Sequence, residues 1–592
     1  MKSSKRIIFL FVALILSAMF WLEVSSATNE SQTIDEGVHL SSGYAYLKDL
    51  NFELNPEHPP LSKYLAAIPL LFLDLDDKFD TDAYDDNQWE YARQLIHNNR
   101  VSNRLILGLG RLPTMLFSLL LGFIIFKFTR KYFNTKTAFL ALILYAFNPN
   151  IIAHSRYVTT DIPITFFIFL TIYLWLNYLK KSNWKNLVYV ALAFAGASLT
   201  KFSSVILIPI LITLFLIYYP PSRFSFKKFF GAFALIFIIT YFLIISFYGF
   251  ELKTTIEDPL VSDYYQNLPH WLDEEYLEQQ NSFPRFWYKQ TDPEKLIGKF
   301  IKWFSHEVPV PGFSYFKGFY LLARHNHFGH TSYLLGQHSD FGWWYYFPIA
   351  FLVKTPIAIT LLIIFSTVFL FLRGVNRTKD KLKGTTQKLV TKIKSFLDLV
   401  PFVYWALFIS ITFYFGWTLS SKLNIGIRHL LPIFPFIFIF IALFLGRLLK
   451  NQKILTGIAA LLCIQLLISS FWIYPHYLSY FQELVGGPQR GHRYLTDSNI
   501  DWGQGLIQLK NYMDANGLDS IYLHYFGSVD PRSYDVNWES PPNNQEIATL
   551  PDWHGHIAIS VTALLSKEKE FSWLEQYQPI ATISHSIWIY QI

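Results

Sequence analysis

The stretch LILGLGRLPTMLFSLLLGFIIFK, residues 105–127, decides the class of fold. It is apolar for long enough to cross a hydrocarbon core of about 30 Å, and cations at Lys127, Arg130, Lys131 and Lys136 close it. Comparable runs lie near 7–24, 137–153, 161–179, 186–200, 203–219, 229–249, 346–372, 401–420, 430–446 and 454–474, so about eleven transmembrane helices are expected. A chain of 592 residues that is 52% hydrophobic and only 16% charged is not a soluble domain. The expected fold is therefore mainly α: a polytopic membrane protein with amphipathic helices in its outer loops and a small exported α/β module at its C-terminus.

Cations fall in alternate connections. Lys2, Lys5 and Arg6 precede the first span, and Lys180, Lys181 and Lys185, then Arg223, Lys227 and Lys228, then the run from Arg373 to Lys394, then Arg447, Lys450 and Lys453 mark the same side. By the positive-inside rule that side is cytoplasmic, as is the N-terminus. The loops 25–104 and 250–345 and the segment 475–592 are then extracytoplasmic, which divides the chain into a membrane module, 1–474, and an exported tail domain. The first span also resembles a signal peptide, with Val24-Ser25-Ser26-Ala27 as a cleavage site, and an uncleaved anchor is the preferred reading. The net charge of +7 resides in these short loops and is no nucleic-acid footprint. The single cysteine, Cys463, lies inside an apolar run and excludes a disulfide framework.

Chemistry is expected in the outer loops. The first begins Asp35-Glu36-Gly37-Val38-His39 and continues to Glu57-His58-Pro59-Pro60-Leu61-Ser62-Lys63, ahead of a short helix, Leu61 to Leu73, that suits the interface. Asp161 opens the fourth span, where it is read as a helix cap or as a functional carboxylate. Lys201 and Arg428-His429 stand at outer helix ends, against the trend of the other short-loop cations. Snorkelling explains each alone, and a lipid-phosphate site explains them together. In the large outer loop an amphipathic helix is expected over Pro293 to His306. It is followed by the cluster Arg324-His325-Asn326-His327-Phe328-Gly329-His330, by His338, and by the aromatic run Trp343 to Phe347, read as an interfacial belt. The histidines match no closed structural zinc pattern. In the tail, 520–523, 556–561 and 586–590 read as strands, and Trp502 to Asn516 as a helix preceded by Asp501 and followed by Gly517.

These features, in this order, resemble the polyprenyl-phosphate-sugar-dependent glycosyltransferases of the membrane-embedded C class, the group of protein O-mannosyltransferases and lipid A aminoarabinose transferases. The marks are Asp35-Glu36, Glu57-His58-Pro59-Pro60-Leu61, Thr160-Asp161-Ile162-Pro163, Leu199-Thr200-Lys201, Gly342 through Pro348 followed by Phe351-Leu352-Val353-Lys354-Thr355-Pro356, and Arg428-His429-Leu430-Leu431-Pro432. Tyr480-Phe481-Gln482-Glu483 and Asp497-Ser498-Asn499-Ile500-Asp501-Trp502-Gly503-Gln504 resemble a tail signature of many bacterial members. The resemblance implies an inverting transfer from a lipid-linked sugar to a glycan, lipid or protein acceptor at the outer face of the inner or plasma membrane. Asp35 is the expected general base, with Glu36 and Asp161 beside it. Lys201, Arg428, His58, His429 and Arg324 are the expected partners of the donor phosphate. A divalent metal, zinc, manganese or magnesium, is expected at Glu57 with His330. His39 and His58 stand where aminoarabinose transferases tend to carry Arg and Lys. The large outer loop is also too short and too aromatic for the trefoil domain usual in the mannosyltransferases.

Two rival readings differ in class or substrate. A transporter or lipid-linked-glycan flippase is also polytopic, but binds at the midplane through broken helices, whereas the charges here collect at one face. Asp74-Leu75-Asp76 imitates the acidic pair of nucleotide-sugar enzymes, yet falls in a loop expected outside.

Overall fold

Helices dominate the computed structural model, which describes residues 2–78, 87–259, 261, 262, 266, 292, 295–368, 401–448, 453–550 and 552–592. Lys5–Ala27, Asn103–Tyr132, Asp161–Lys180, Phe226–Phe247 and Ile427–Gly446 are long and apolar enough to cross a membrane. Two further expected spans are bent pairs, Thr135–Ala146 with Pro149–Ser155 at 63° and Tyr346–Lys354 with Ile357–Val368 at 113°. Both breaks precede or contain a proline, Pro149 and Pro356, which disfavours helical backbone in the residue before it. The other four expected spans fall on shorter helices, Trp184–Ser198, Phe202–Tyr218, Phe402–Thr418 and Thr456–Trp472. At 1.5 Å per residue a helix the length of Trp184–Ser198 reaches only about 22 Å. By length, then, five to seven helices among the described residues qualify as spans, against the eleven expected. The run from Arg373 to Lys394, Lys450 and the last residues of the expected span 346–372 lie outside the described residues.

The lysines at the cation-rich helix ends pack on amide and tyrosine groups. Lys131 Nζ donates to Asn177 Oδ1 at 2.6 Å, Lys180 lies 4.2 Å over the Tyr132 ring, and Lys228 Nζ donates to the Tyr219 hydroxyl at 3.0 Å. Asp161 stands at the opposite end of the helix that carries Lys180.

The first outer stretch, expected as a loop, is largely helical. Ile34–Asp49 is one helix, buried from Glu36 to Tyr46. Gly37, Ser41, Ser42 and Gly43 disfavour helix in isolation, and tertiary packing overrides them. Leu61–Ala67 continues as a tighter turn, Ile68–Phe72, whose Leu71 and Phe72 are exposed, as suits an interfacial element. In the large loop the amphipathic helix is Leu296–Glu307, with Phe300, Trp303 and Phe304 exposed on one face. The aromatic run divides: Trp344 is exposed while Tyr346 and Phe347 are core residues.

The tail forms a five-stranded mixed sheet in the order Trp538–Glu539, Ile521–His524, His556–Ser560, Ile587–Gln591, Ala581–Ile583, parallel among the first three and antiparallel thereafter. Leu506, Leu509 and Met513 of helix Leu506–Ala515 pack with Ile521, Leu523, Ala558 and Ile589 of the sheet. That helix starts later than Trp502, because Gly503 turns the chain at φ +88°. Asp501 is not its cap: its carboxylate is buried and accepts from the Ser560 hydroxyl and, at 3.4 Å, from Thr562 N–H. Burial pushes Asp501 up to about 7 against those donors.

Candidate functional site

Asp35 stands in the first turn of Ile34–Asp49, where the free N–H groups of a helix start favour a carboxylate. Its Oδ2 accepts from Arg428 Nη1 at 2.8 Å. The same Nη1 lies 3.9 Å from Asp161 Oδ2, and Asp161 Oδ1 accepts from Lys201 Nζ at 2.6 Å. Two acids and two cations thus alternate as Asp35, Arg428, Asp161 and Lys201 across ends of four separate chain segments. Asp161 is the first residue of its helix, with Thr160 at the cap position, so its carboxylate serves the two cations and not the helix end. Neither cation snorkels: Lys201 and Arg428 are 15% and 11% exposed and both are ion-paired. Asp35, at 27% exposed against 2% for Asp161, is the carboxylate an incoming molecule can reach.

Imidazoles surround this chain. The rings of His39 and His58 meet edge to face at 4.8 Å. Burial depresses His39 to about 4 although Asp35 pulls it upward, and burial beside His39 depresses His58 well below the usual imidazole range. Both are neutral at pH 7. His429 packs against Phe347 at 6.2 Å, and its Nε2 has no hydrogen-bond partner.

Glu36, expected beside the base, is committed elsewhere. Its two oxygens accept from Arg111 Nε and Nη2 at 2.8 and 2.7 Å, from Val158 N–H at 3.0 Å and from Thr33 N–H at 2.9 Å. Arg111 also donates to the carbonyls of Ala27, Glu30 and Ser31. Next to it, Arg156 Nη2 and the Tyr157 hydroxyl donate to Glu30 at 2.9 and 2.6 Å. Glu36 is thus half of a buried lock that ties the Asp35 turn to the second and fourth spans. Arg111 is a charge inside an apolar stretch, and that alone signals a partner in the sequence.

Arg324 is exposed on helix Phe313–Phe328, its guanidinium 5.9 Å over Phe328, and it takes no part in this network. Glu57 is half-buried near that helix, whose Gly318 meets the Pro56 carbonyl so closely that a Cβ would collide with it. His330 Nδ1 lies 3.3 Å from His325 Nε2. Among the described residues no three His, Cys, Asp or Glu side chains converge to hold an ion. Metal analysis of the purified protein tests the expected Glu57 and His330 site: a stoichiometric zinc or manganese ion lost in Glu57→Ala supports it, and a metal-free protein whose activity survives exhaustive chelation removes it. Asp74, of the rival acidic pair, is exposed and bridged to Arg100 at 2.7 Å.

The tail enters the site, which the sequence did not disclose. Trp502 lies flat beneath Arg428, whose guanidinium carbon is 4.3 Å from the ring centre. Lys354 donates to the carbonyls of Leu478 and Asn499 at 2.8 and 2.5 Å, fastening the tail loops to the helix of the Phe351 to Pro356 motif. Asn499 Oδ1 accepts from Ile427 N–H at 3.0 Å beside Gly426, where a Cβ would come within 2.6 Å of Ser498 Oγ.

The comparisons bear on this arrangement. Residues 108–247, which include Arg111, Asp161 and Lys201, match the model of the family described as dolichyl-phosphate-mannose-protein mannosyltransferase. This segment is similar to that glycosyltransferase family. The resemblance to the membrane-embedded C class is thereby borne out at family level. No curated protein sequence matches the chain significantly. Among solved structures, the Saccharomyces cerevisiae protein O-mannosyltransferase Pmt1–Pmt2 complex bound to the sugar donor is similar at 18% identity and TM-score 0.31, over 41% of this chain and 33% of that one. The chain thus spans about a third of the length of that relative. ArnT from Cupriavidus metallidurans in the apo state is similar at 11% identity and TM-score 0.43, over 98% and 97%. The Archaeoglobus fulgidus oligosaccharyltransferase in the apo form is similar at 12% identity and TM-score 0.43, over 96% and 72%. With every TM-score below 0.5, no residue role is transferred from these structures.

Proposed function

We propose that this chain transfers a sugar from a polyprenyl-phosphate-linked donor to an acceptor hydroxyl at the extracytoplasmic face, with inversion at the anomeric carbon. The observation that carries the proposal is the convergence of Asp35, Arg428, Asp161 and Lys201 at one end of the helix bundle, with only Asp35 open enough to meet an acceptor. A hydroxyl attacks weakly, so Asp35 takes its proton as the new bond to the anomeric carbon forms. The bond from that carbon to the phosphate oxygen breaks on the opposite side, and the polyprenyl phosphate leaves as an anion. Arg428 and Lys201 meet that charge, while Asp161 holds both cations in place. His58 and His429, neutral or unpartnered at the rim of the site, are hydrogen-bond partners for the phosphate oxygens and add no charge. The carrier released is a polyprenyl phosphate, the class of lipid that ArnT from Cupriavidus metallidurans is bound to in one solved structure, and the acceptor is a glycan, lipid or protein.

The cation asymmetry supports a cytoplasmic N-terminus and an exported tail. A reporter fused after Gln508 is expected to be active only when exported, and one fused after Lys394 only in the cytoplasm; the reverse pair would move the site to the wrong face.

The experiment for the phosphate half is kinetic. Lys201→Gln and Arg428→Gln are each expected to raise the Michaelis constant for a lipid-linked donor roughly ten- to a hundredfold, since a charge-assisted hydrogen bond contributes about 1.5–3 kcal/mol. Expression should change little. Wild-type donor dependence in both variants would place the phosphate elsewhere.

A further inference from the structure

We infer that Trp502, in the tail loop, is a positioning residue for the site: it fixes Arg428 and the Asp35 turn relative to each other, so the tail domain is an integral part of the donor site. The inference rests on the reading of Arg428 as a phosphate ligand and extends it to a segment that reading does not require. Trp502 is 2% exposed and its indole faces the Arg428 guanidinium at 4.3 Å. The ring is held edge-on by Tyr157 at 5.9 Å and His154 at 6.3 Å, and its backbone N–H donates to Gln504 Oε1 at 2.7 Å. On its other side the Trp502 carbonyl accepts from the N–H of Ile34, the residue before Asp35, at 3.0 Å. The neighbouring backbone repeats the clasp. Ser31 N–H donates to the Gln504 carbonyl at 3.1 Å, and Ser31 Oγ donates to the Gly503 carbonyl at 2.8 Å. One residue therefore touches Arg428 and the residue before Asp35, and so bridges the two sides of an ion pair whose members are 393 positions apart in the chain.

The physics favours a ring at this position over a purely hydrophobic filler. A long cationic side chain has many rotamers, and Arg428 Nε has no hydrogen-bond partner to choose among them. A buried indole face attracts a guanidinium and restricts it to one plane. In that plane one Nη reaches Asp35, and the guanidinium is held ready for an anion.

Binding of a detergent-soluble polyprenyl monophosphate to the full-length purified chain tests this without knowledge of sugar or acceptor. Trp502→Leu is expected to raise Kd about tenfold to thirtyfold, as loss of a desolvated cation–π contact does. Trp502→Phe keeps an aromatic face and keeps the test decisive where the leucine variant fails to fold; about threefold weakening is expected, and an unchanged Kd in both overturns the inference. The double-variant cycle separates positioning from bulk structure. In an Arg428→Gln background, Trp502→Leu is expected to add less than about twofold, because the group it positions is gone. An equal added loss in both backgrounds overturns the inference and leaves the phosphate reading standing. An unchanged Kd in Arg428→Gln alone overturns both.

Discussion

Asp35→Asn abolishes transfer, lowering turnover at least a hundredfold and up to about ten-thousandfold, the range removed with a general base. The amide keeps the shape of the carboxylate and loses the ability to accept a proton. It also weakens the contact with Arg428, now 2.8 Å from Oδ2, which is left with the Asp161 carboxylate 3.9 Å away. Donor binding is expected to stay within about threefold of wild type, because the cation remains beside Asp161, which also holds Lys201, and near neutral imidazoles. Turnover and donor affinity separate in this variant, and that separation distinguishes a base from a structural acid. Turnover within tenfold of wild type would remove Asp35 from the role. Asp161 would then be the next candidate, since its Oδ2 has no hydrogen-bond partner while both oxygens of Glu36 are occupied.

Arg111→Met has the largest expected effect on stability. The guanidinium is 4% exposed and the Glu36 carboxylate wholly buried, so the substitution strands a charge in the interior. Breaking one side of such a pair costs about 3–5 kcal/mol, a large part of the stability of an ordinary fold. The variant is expected to lose most of its folded, monodisperse fraction in detergent on mild heating. Replacing both partners, Glu36→Leu with Arg111→Met, should recover only part, because the N–H groups of Thr33 and Val158 lose their acceptor as well. A single variant as stable as wild type would mean that the Asp35 turn is held by something other than this lock. The segment from Asn29 to Ile34 would then depend on its tail contacts alone.

What could be read in the sequence follows from which forces are local. The apolar runs and the cations between them are periodic or compositional, and they located the helices and the identities of Asp35, Asp161, Lys201 and Arg428. Long-range pairing is not local. Asp35 and Glu36 are adjacent and chemically alike, yet one faces Arg428 and the other is sealed against Arg111. Only the packing of the helices that carry those arginines separates them. The helix Ile34–Asp49 was hidden by its glycines and serines, residues whose weak helix propensity is overridden when the whole segment is buried. Asp501 and Trp502 resembled the start of a helix because an acid before an apolar run usually is one. Here the acid faces Ser560 and the indole faces Arg428, contacts made across 59 and 74 residues, with no local signature.

The central claim is tested most directly with membranes from cells lacking the chain, supplied with purified wild-type or Asp35→Asn protein and a panel of radiolabelled polyprenyl-phosphate sugars. The account predicts that the wild type moves label from at least one donor onto an endogenous acceptor with inverted anomeric configuration, releasing polyprenyl phosphate, while Asp35→Asn binds that donor and moves none. Transfer by both proteins at similar rates, or a product with retained configuration, would contradict it.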